Sequence, residues 1–193
     1  MGKTVGKGIL VLAAVVSSLA LQSSPRDDQY RLPFPAGDSA RLIQGNNGPY
    51  GHTGHARYAF DFIMSIGSPV TASRKGQVEA TEERFQDGNH TPGQENFVII
   101  RHADSTFARY YHLTHNGALV DVGQAVQPGD TVGRSGNTGA SAGPHLHFDV
   151  TSGCFAWGCQ TRAIRFRNAG ADSLIPGRTY RAGNDRRRRR IIP

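Results

Sequence analysis

The sequence predicts a mostly β fold, a small antiparallel sheet or sandwich. Short runs rich in β-branched and aromatic residues alternate with turn sequences up to about residue 150, a spacing typical of antiparallel strands. No segment after the N-terminal apolar run has a convincing helical period. The 193 residues, of which 37% are hydrophobic, suffice for one domain with a packed core.

Six strands are predicted between residues 58 and 150. The turn at residues 102–105 separates two of them, which we expect to pair as a hairpin. A further strand and turn are expected at residues 163–168, with the strand pairing at the sheet edge. In chain order, the six predicted strands are 58–63, 69–72, 77–81, 96–101, 106–113 and 145–150.

The N-terminal segment has the features of a signal peptide. Lys3 and Lys7 precede an apolar run at residues 9–16, and Ser18-Leu19-Ala20 offers a cleavage site between small residues. The alternative is an uncleaved membrane anchor, but the run is shorter than the ~20 apolar residues of a spanning helix. We therefore expect residues 1–21 to be removed, leaving an exported protein, periplasmic or extracellular, without stable membrane insertion.

Domain boundaries follow from composition. Residues 22–37 are polar and interrupted by prolines, so they are predicted to form a linker before a domain at residues 38–183. The net charge of +7 falls to +5 without Lys3 and Lys7, and to zero without the five arginines at residues 186–190. A nucleic-acid-binding domain would carry its basic face on the fold, so this class is disfavoured. The tail, residues 184–193, is predicted to be disordered, and it either raises solubility or attracts an anionic surface.

The two cysteines, Cys154 and Cys159, flank an aromatic and glycine-containing turn. In an exported protein such a pair predicts a disulfide that closes the tip of a hairpin. Two cysteines alone would make a poor structural zinc site, because such sites use four protein ligands.

The most informative of the eight histidines are His145 and His147. Side chains of residues i and i+2 in a strand project to the same side, so both imidazoles share one face while Leu146 points to the core. A metal would satisfy two adjacent imidazoles on a buried face. The alternative is two exposed histidines on a solvent-facing surface.

Asp61 lies in an apolar strand, where a carboxylate needs a partner or a cation. Arg57 or Arg74 could pair with it, or it could share a metal with His52 or His55. Two histidines and a carboxylate leave the fourth tetrahedral position of a zinc ion for water.

His112 lies in the predicted strand at residues 106–113, where alternation puts it on the same face as Tyr110. It is either a core histidine or a group near a metal that orients water or stabilises charge on the substrate.

Several motifs occur in a fixed order between about residues 50 and 150. They are His52-Thr53-Gly54, Asp61-Phe62 with residues 67–72 and Gly76-Gln77-Val78, Tyr110-Tyr111-His112-Leu113, and the Gly-rich residues 133–139 followed by residues 143–148. Together these motifs resemble those of the lysostaphin-type, or LytM-like, zinc metallopeptidases that act on peptidoglycan.

The resemblance implies a small antiparallel β fold with the active-site groove on one sheet face. By position, His52, Asp61 and His147 would bind one Zn²⁺, and His112 and His145 would be catalytic. The implied reaction is hydrolysis, by metal-activated water, of peptide cross-links or stem peptides in peptidoglycan. We expect a monomer. The alternative to the peptidase function is a non-catalytic cell-wall-binding or regulatory protein with the same fold.

The sequence departs from the family pattern at the first ligand. That histidine usually precedes the aspartate by four positions, but here Arg57 occupies this place and His52 lies nine positions before Asp61. His55 is the rival ligand. His52 is preferred because it retains the His-x-Gly triplet.

Overall fold

The computed structural model describes residue 2 and residues 30–171 and 173–183, and within these residues ten strands form one sheet. This confirms the predicted antiparallel β fold. A single 3₁₀ turn at Gly54–Ala56 is the only helical element in these ranges. The strands are β1 Ser39–Gln44, β2 Ala59–Ile63, β3 Pro69–Thr71, β4 Gly76–Glu82, β5 Asn96–Arg101, β6 Thr106–Ala118, β7 Ala125–Val126, β8 Thr131–Ser135, β9 His145–Ser152 and β10 Thr179–Arg181.

The order of strands across the sheet is β10-β1-β2-β9-β6-β5-β4-β7, and every neighbouring pair is antiparallel. β3 lies off this path and pairs with β8, which in turn pairs with β6. The predicted hairpin of β5 and β6 is confirmed. β9 lies between β2 and β6, so segments far apart in sequence become neighbours at the centre of the sheet.

Alternation along the central strands separates two faces of the sheet. On one face, Phe62 of β2, Tyr110 of β6 and Leu146 and Phe148 of β9 are completely buried and form the hydrophobic core. The residues between them carry the polar side chains of the opposite face. The packed core on one face of the sheet thus keeps the strands that carry the polar face rigid.

The segment before β1 belongs to the domain. Tyr30, Leu32 and Phe34 are all buried in the core, and the Leu32 amide donates to Asn168 Oδ1 at 2.8 Å. The linker predicted for residues 22–37 is therefore wrong for residues 30–35, because three alternate apolar side chains fill the core there. Its first part lies outside the described residues, as do the expected signal peptide, apart from residue 2, and the tail at residues 184–193.

The strand expected at residues 163–168 is not formed. Phe166 makes one isolated bridge to Tyr30, and its ring packs against Phe60 and Phe148. This segment docks on the core through an aromatic side chain instead of extending the sheet. The edge next to β1 is covered by β10.

The predicted disulfide between Cys154 and Cys159 is confirmed, and it closes the loop that follows β9. Among the described residues, no helix is long and apolar enough to cross a membrane.

Leu32→Ala tests whether the segment at residues 30–35 is part of the core. The side chain is 1% exposed, so we expect its truncation to lower the free energy of unfolding by about 2–5 kcal/mol. Urea denaturation measures the change. Leu119→Ala is the matched control, because Leu119 is 44% exposed. Equal, small effects of the two substitutions would contradict the assignment of residues 30–35 to the domain.

Candidate metal centre

The polar face of β2 and β9 brings together side chains from three parts of the chain. The antiparallel register puts Asp61 directly opposite His147, and His147 directly opposite Tyr111 of β6. His52 reaches the same point from the loop between β1 and β2. One ligand atom from each of His52, Asp61 and His147 lies within 4.8 Å of the others.

The distances within this group fit a small cation. Asp61 Oδ1 lies 2.9 Å from His147 Nδ1 and 3.2 Å from His52 Nε2. Zinc binds nitrogen and oxygen at about 2.0–2.2 Å, which makes two ligands of a tetrahedral site about 3.3 Å apart. Two imidazoles and one carboxylate are also a donor set that zinc accepts and that leaves a fourth position. The residues therefore fit the metal that the resemblance implies.

His52 is oriented for binding a cation. Its Nδ1 lies 2.9 Å from the carbonyl oxygen of Gly45, which fixes the proton on Nδ1. Its Nε2 is buried, makes no hydrogen bond and faces the Asp61 carboxylate. The rival, His55, lies elsewhere, with its ring 5.6 Å from that of Trp157. The structure thus brings His52 into the group and leaves His55 outside it.

Asp61 is buried among donors. Burial alone would raise the pKa of its carboxyl, but the hydrogen bond with His147 and the nearby imidazole of His52 outweigh burial and lower the pKa below its usual value. Gln44 Nε2 donates to the second carboxylate oxygen at 3.0 Å, which leaves Oδ1 directed at the two histidines. The arginines considered as partners are engaged elsewhere: Arg74 pairs with Asp104, and Arg57 lies over the ring of Tyr58.

His147 is held between two carboxylates. Its Nδ1 faces Asp61, and its Nε2 lies 3.2 Å from Asp149 Oδ2. Burial would lower the pKa of His147, but the hydrogen bonds with Asp149 and Asp61 raise it to about 9. A cation bound at Nδ1 would take the place of that proton, while Asp149 would continue to accept from Nε2.

Asp149 is in turn fixed by Arg109. The guanidinium donates to both carboxylate oxygens, at 2.7 and 2.8 Å, and both side chains are 1% exposed. Paired bonds of this kind fix geometry as well as charge. The orientation of the His147 ring therefore depends on a buried ion pair between Asp149, on the same strand, and Arg109 on the neighbouring strand β6.

The remaining two histidines lie beside this group. The rings of His112 and His145 are 4.6 Å apart, and His145 Nε2 is 3.8 Å from Asp61 Oδ1. His145 Nδ1 lies 2.8 Å from the carbonyl oxygen of Gly143, and His112 Nδ1 lies 2.7 Å from that of Thr138. Burial lowers the pKa of His145 and lowers that of His112 to about 3. Both rings are therefore neutral at pH 7, with the proton on Nδ1.

His112 reaches the site through a β-bulge. The pairing of β5 with β6 passes from Leu113 to Tyr111, so that His112 is an extra residue with a φ of 63°. The predicted alternation, which put Tyr110 and His112 on one face, is therefore wrong. Tyr110 is buried in the core and accepts a hydrogen bond from the Ser73 amide at 2.8 Å.

Residues 55–157 match Peptidase family M23. The chain belongs to this family. The peptidoglycan DD-endopeptidase ShyA of Vibrio cholerae is 37% identical over 131 residues, which cover 68% of this chain and 27% of ShyA. The chain thus spans about a quarter of that relative's length.

Solved M23 structures share the fold. Lysostaphin of Staphylococcus simulans superposes with a TM-score of 0.50 and 31% identity, covering 64% of this chain and 47% of that one. The catalytic domain of the M23 protein EnpA of Enterococcus faecalis superposes with a TM-score of 0.53 and 24% identity. The superposition covers 67% of this chain and 93% of the EnpA domain. The resemblance to lysostaphin-type peptidases is therefore confirmed for this M23 chain.

Sequence reasoning missed three residues around the M23 site. Asp149 could have been found from alternation, since it follows His145 and His147 at the same spacing on the same face. Arg109 and Gln44 carry no such signal, because their roles depend on which strands lie next to β9 and β2. The sequence does not distinguish a long polar side chain that is buried in an ion pair or hydrogen bond from one that is exposed to solvent.

Asp149→Asn tests whether the Asp149 carboxylate orients a metal-binding His147. We expect zinc affinity to fall about 10- to 100-fold, because the hydrogen bond from Nε2 loses its charged acceptor. Competition with a chromophoric chelator measures the affinity. Asp104→Asn is the matched control, since it removes the carboxylate of another Asp–Arg pair. Zinc affinities of Asp149→Asn and wild type within threefold of each other would contradict this role.

Proposed function

We propose that this M23 chain is a zinc-dependent endopeptidase that hydrolyses peptide cross-links or stem peptides of bacterial peptidoglycan. The observation that carries the proposal is the buried group of His52, Asp61 and His147 beside two neutral histidines. ShyA is a peptidoglycan endopeptidase by name, and the chain matches it over 131 residues. The substrate class is inferred from this relationship.

His52, Asp61 and His147 would hold one zinc ion. When bound, zinc supplies Lewis-acid chemistry that polarises the scissile carbonyl and makes water acidic enough to attack at neutral pH. The protein's contribution is to fix the three side chains in advance: Gly45 holds His52, Gln44 holds Asp61, and Asp149 holds His147. Such preorganisation avoids reorientation during the reaction.

His145 and His112 are the proposed catalytic histidines. Because burial keeps both rings neutral and their Nδ1 protons are held by backbone carbonyls, each presents an unprotonated Nε2. Either nitrogen can accept a proton as water attacks and then donate it to the leaving amine. A ring protonated in this way also stabilises negative charge on the substrate oxygen.

We also propose an exported location, because peptidoglycan lies outside the cytoplasm. Residues 1–21 would direct export, and the domain would extend over residues 30–183. The basic residues 186–190 would add attraction to anionic polymers of the wall. We propose a monomer.

A non-catalytic wall-binding module is the competing function. Such a protein needs none of the three candidate ligands and neither adjacent histidine, whereas this chain has all five in one place. The arrangement favours catalysis.

Purified residues 22–193 test the function directly. We expect incubation with peptidoglycan to release peptide fragments, which mass spectrometry identifies, and we expect a chelator to stop release and added zinc to restore it. A protein that binds peptidoglycan but releases no fragments in the presence of zinc would support the non-catalytic alternative.

Substitutions at His147 and His145 separate the two proposed roles. We expect His147→Ala to lose zinc after treatment with chelating resin, because a candidate ligand is absent. We expect His145→Ala to retain zinc but lose at least about 100-fold in kcat, a typical contribution of a proton-transfer group. Metal analysis and hydrolysis of soluble peptidoglycan fragments measure the two effects. His115→Ala, also on β6 but outside the group, is the control. Loss of zinc from His145→Ala would mean that the two histidines have exchanged roles.

A further inference from the structure

Trp157 is the single tryptophan of the chain, and 72% of it is exposed. Isolated exposed hydrophobic residues are common on protein surfaces and need no function. Two further observations distinguish Trp157 from such residues, namely how its loop is held and where the loop lies.

The loop of residues 154–159 is fixed at both ends and in the middle. The disulfide joins Cys154 to Cys159, and Thr151 Oγ1 donates to the Cys154 carbonyl at 2.6 Å. Arg109 Nη1 donates to the carbonyl oxygens of residues 155 and 156, at 3.2 and 2.8 Å. The same arginine holds Asp149. A large apolar side chain is thus presented to solvent on a restrained loop, which reduces the entropy cost of binding through it.

The loop lies next to the metal centre. The Trp157 ring is 6.5 Å from that of Tyr111, which is 6.0 Å from the ring of His147. The indole is therefore at most about 13 Å from a candidate ligand, the length of about four residues of extended peptide. The His55 ring also lies close to the indole, at 5.6 Å.

The rings of Trp157, Tyr111 and His55 form what we call the aromatic wall. Three charged groups act on Tyr111 of this wall. Arg109 and Asp149 are buried and neutralise each other, and the Glu95 carboxylate accepts hydrogen bonds from the backbone amides of residues 93 and 140. Such a surface suits an uncharged stretch of chain, meaning peptide backbone with small aliphatic side chains.

We propose that Trp157 contacts the peptide substrate within about four residues of the bond that is cut, and that it determines affinity for an uncharged segment there. The inference rests on the proposed function, because the ligand is the peptide that enters the metal centre. Trp157 acts in binding and takes no part in proton transfer.

Steady-state kinetics with a soluble peptidoglycan fragment test this role. We expect Trp157→Ala to raise KM about tenfold, with kcat within twofold of wild type and zinc content unchanged. Trp157→Phe should keep most of the affinity, since it retains an aromatic face. Val122→Ala is the control, because Val122 is an exposed apolar residue in the loop before β7, which is at the opposite end of the strand order from β10. A KM for Trp157→Ala within twofold of wild type would overturn the proposal.

Intrinsic fluorescence provides a second readout, because all tryptophan emission comes from Trp157. Zinc-loaded His145→Ala is used because it is expected to hydrolyse slowly. We expect a sugar-free stem peptide to shift its emission to shorter wavelength and to reduce quenching by iodide. Unchanged emission and quenching at peptide concentrations above KM would contradict the contact. Protection by the peptide-free disaccharide alone would assign Trp157 to glycan and also overturn the proposal.

The two proposals fail in different ways. If wild type releases no peptide in the presence of zinc, the proposed function fails, whatever the fluorescence shows. If wild type hydrolyses the fragment but Trp157→Ala has unchanged KM, only the substrate contact fails. Should Trp157→Ala not fold, the fluorescence of the tryptophan-containing protein decides.

Discussion

The pairing of β2 with β9 is the constraint on which the candidate site depends. Its register sets Asp61 directly opposite His147, and the carboxylate and imidazole meet at 2.9 Å. A slip of one residue would send one of the two side chains to the core face, because side chains alternate along a strand. The register is held by Phe62 and Leu146, which are opposite each other and fully buried in the core.

A continuous buried polar network extends from this pair. It runs from Asp61 through His147 and Asp149 to Arg109, and Arg109 continues to the backbone of the loop at residues 154–159. Groups of this kind are stable in a low-dielectric interior only when each has its partners. The network therefore joins the geometry of the proposed metal ligand to the position of the aromatic wall, so that one arginine supports both.

Much of the fold could be predicted, since the β5 strand and the start of β9 have the predicted bounds. The errors have physical causes. Residues 30–35 look like a linker because prolines alternate with apolar residues there, yet Leu32 and Phe34 complete the core. His112 breaks strand alternation because a bulge inserts one residue. Phe166 packs its ring on the core without forming a strand, and a strand-like sequence pattern cannot distinguish such packing from strand pairing.

The sequence alone determined that His145 and His147 share one face of a strand, because their separation of two residues admits no other arrangement in a regular strand. It also determined the order of motifs that resembles the M23 peptidases. Only the tertiary structure decided between His52 and His55 as the neighbour of Asp61. The loop that holds them has no periodicity, and the outcome depends on a carbonyl at Gly45 that fixes one ring and on Trp157, which packs against the other.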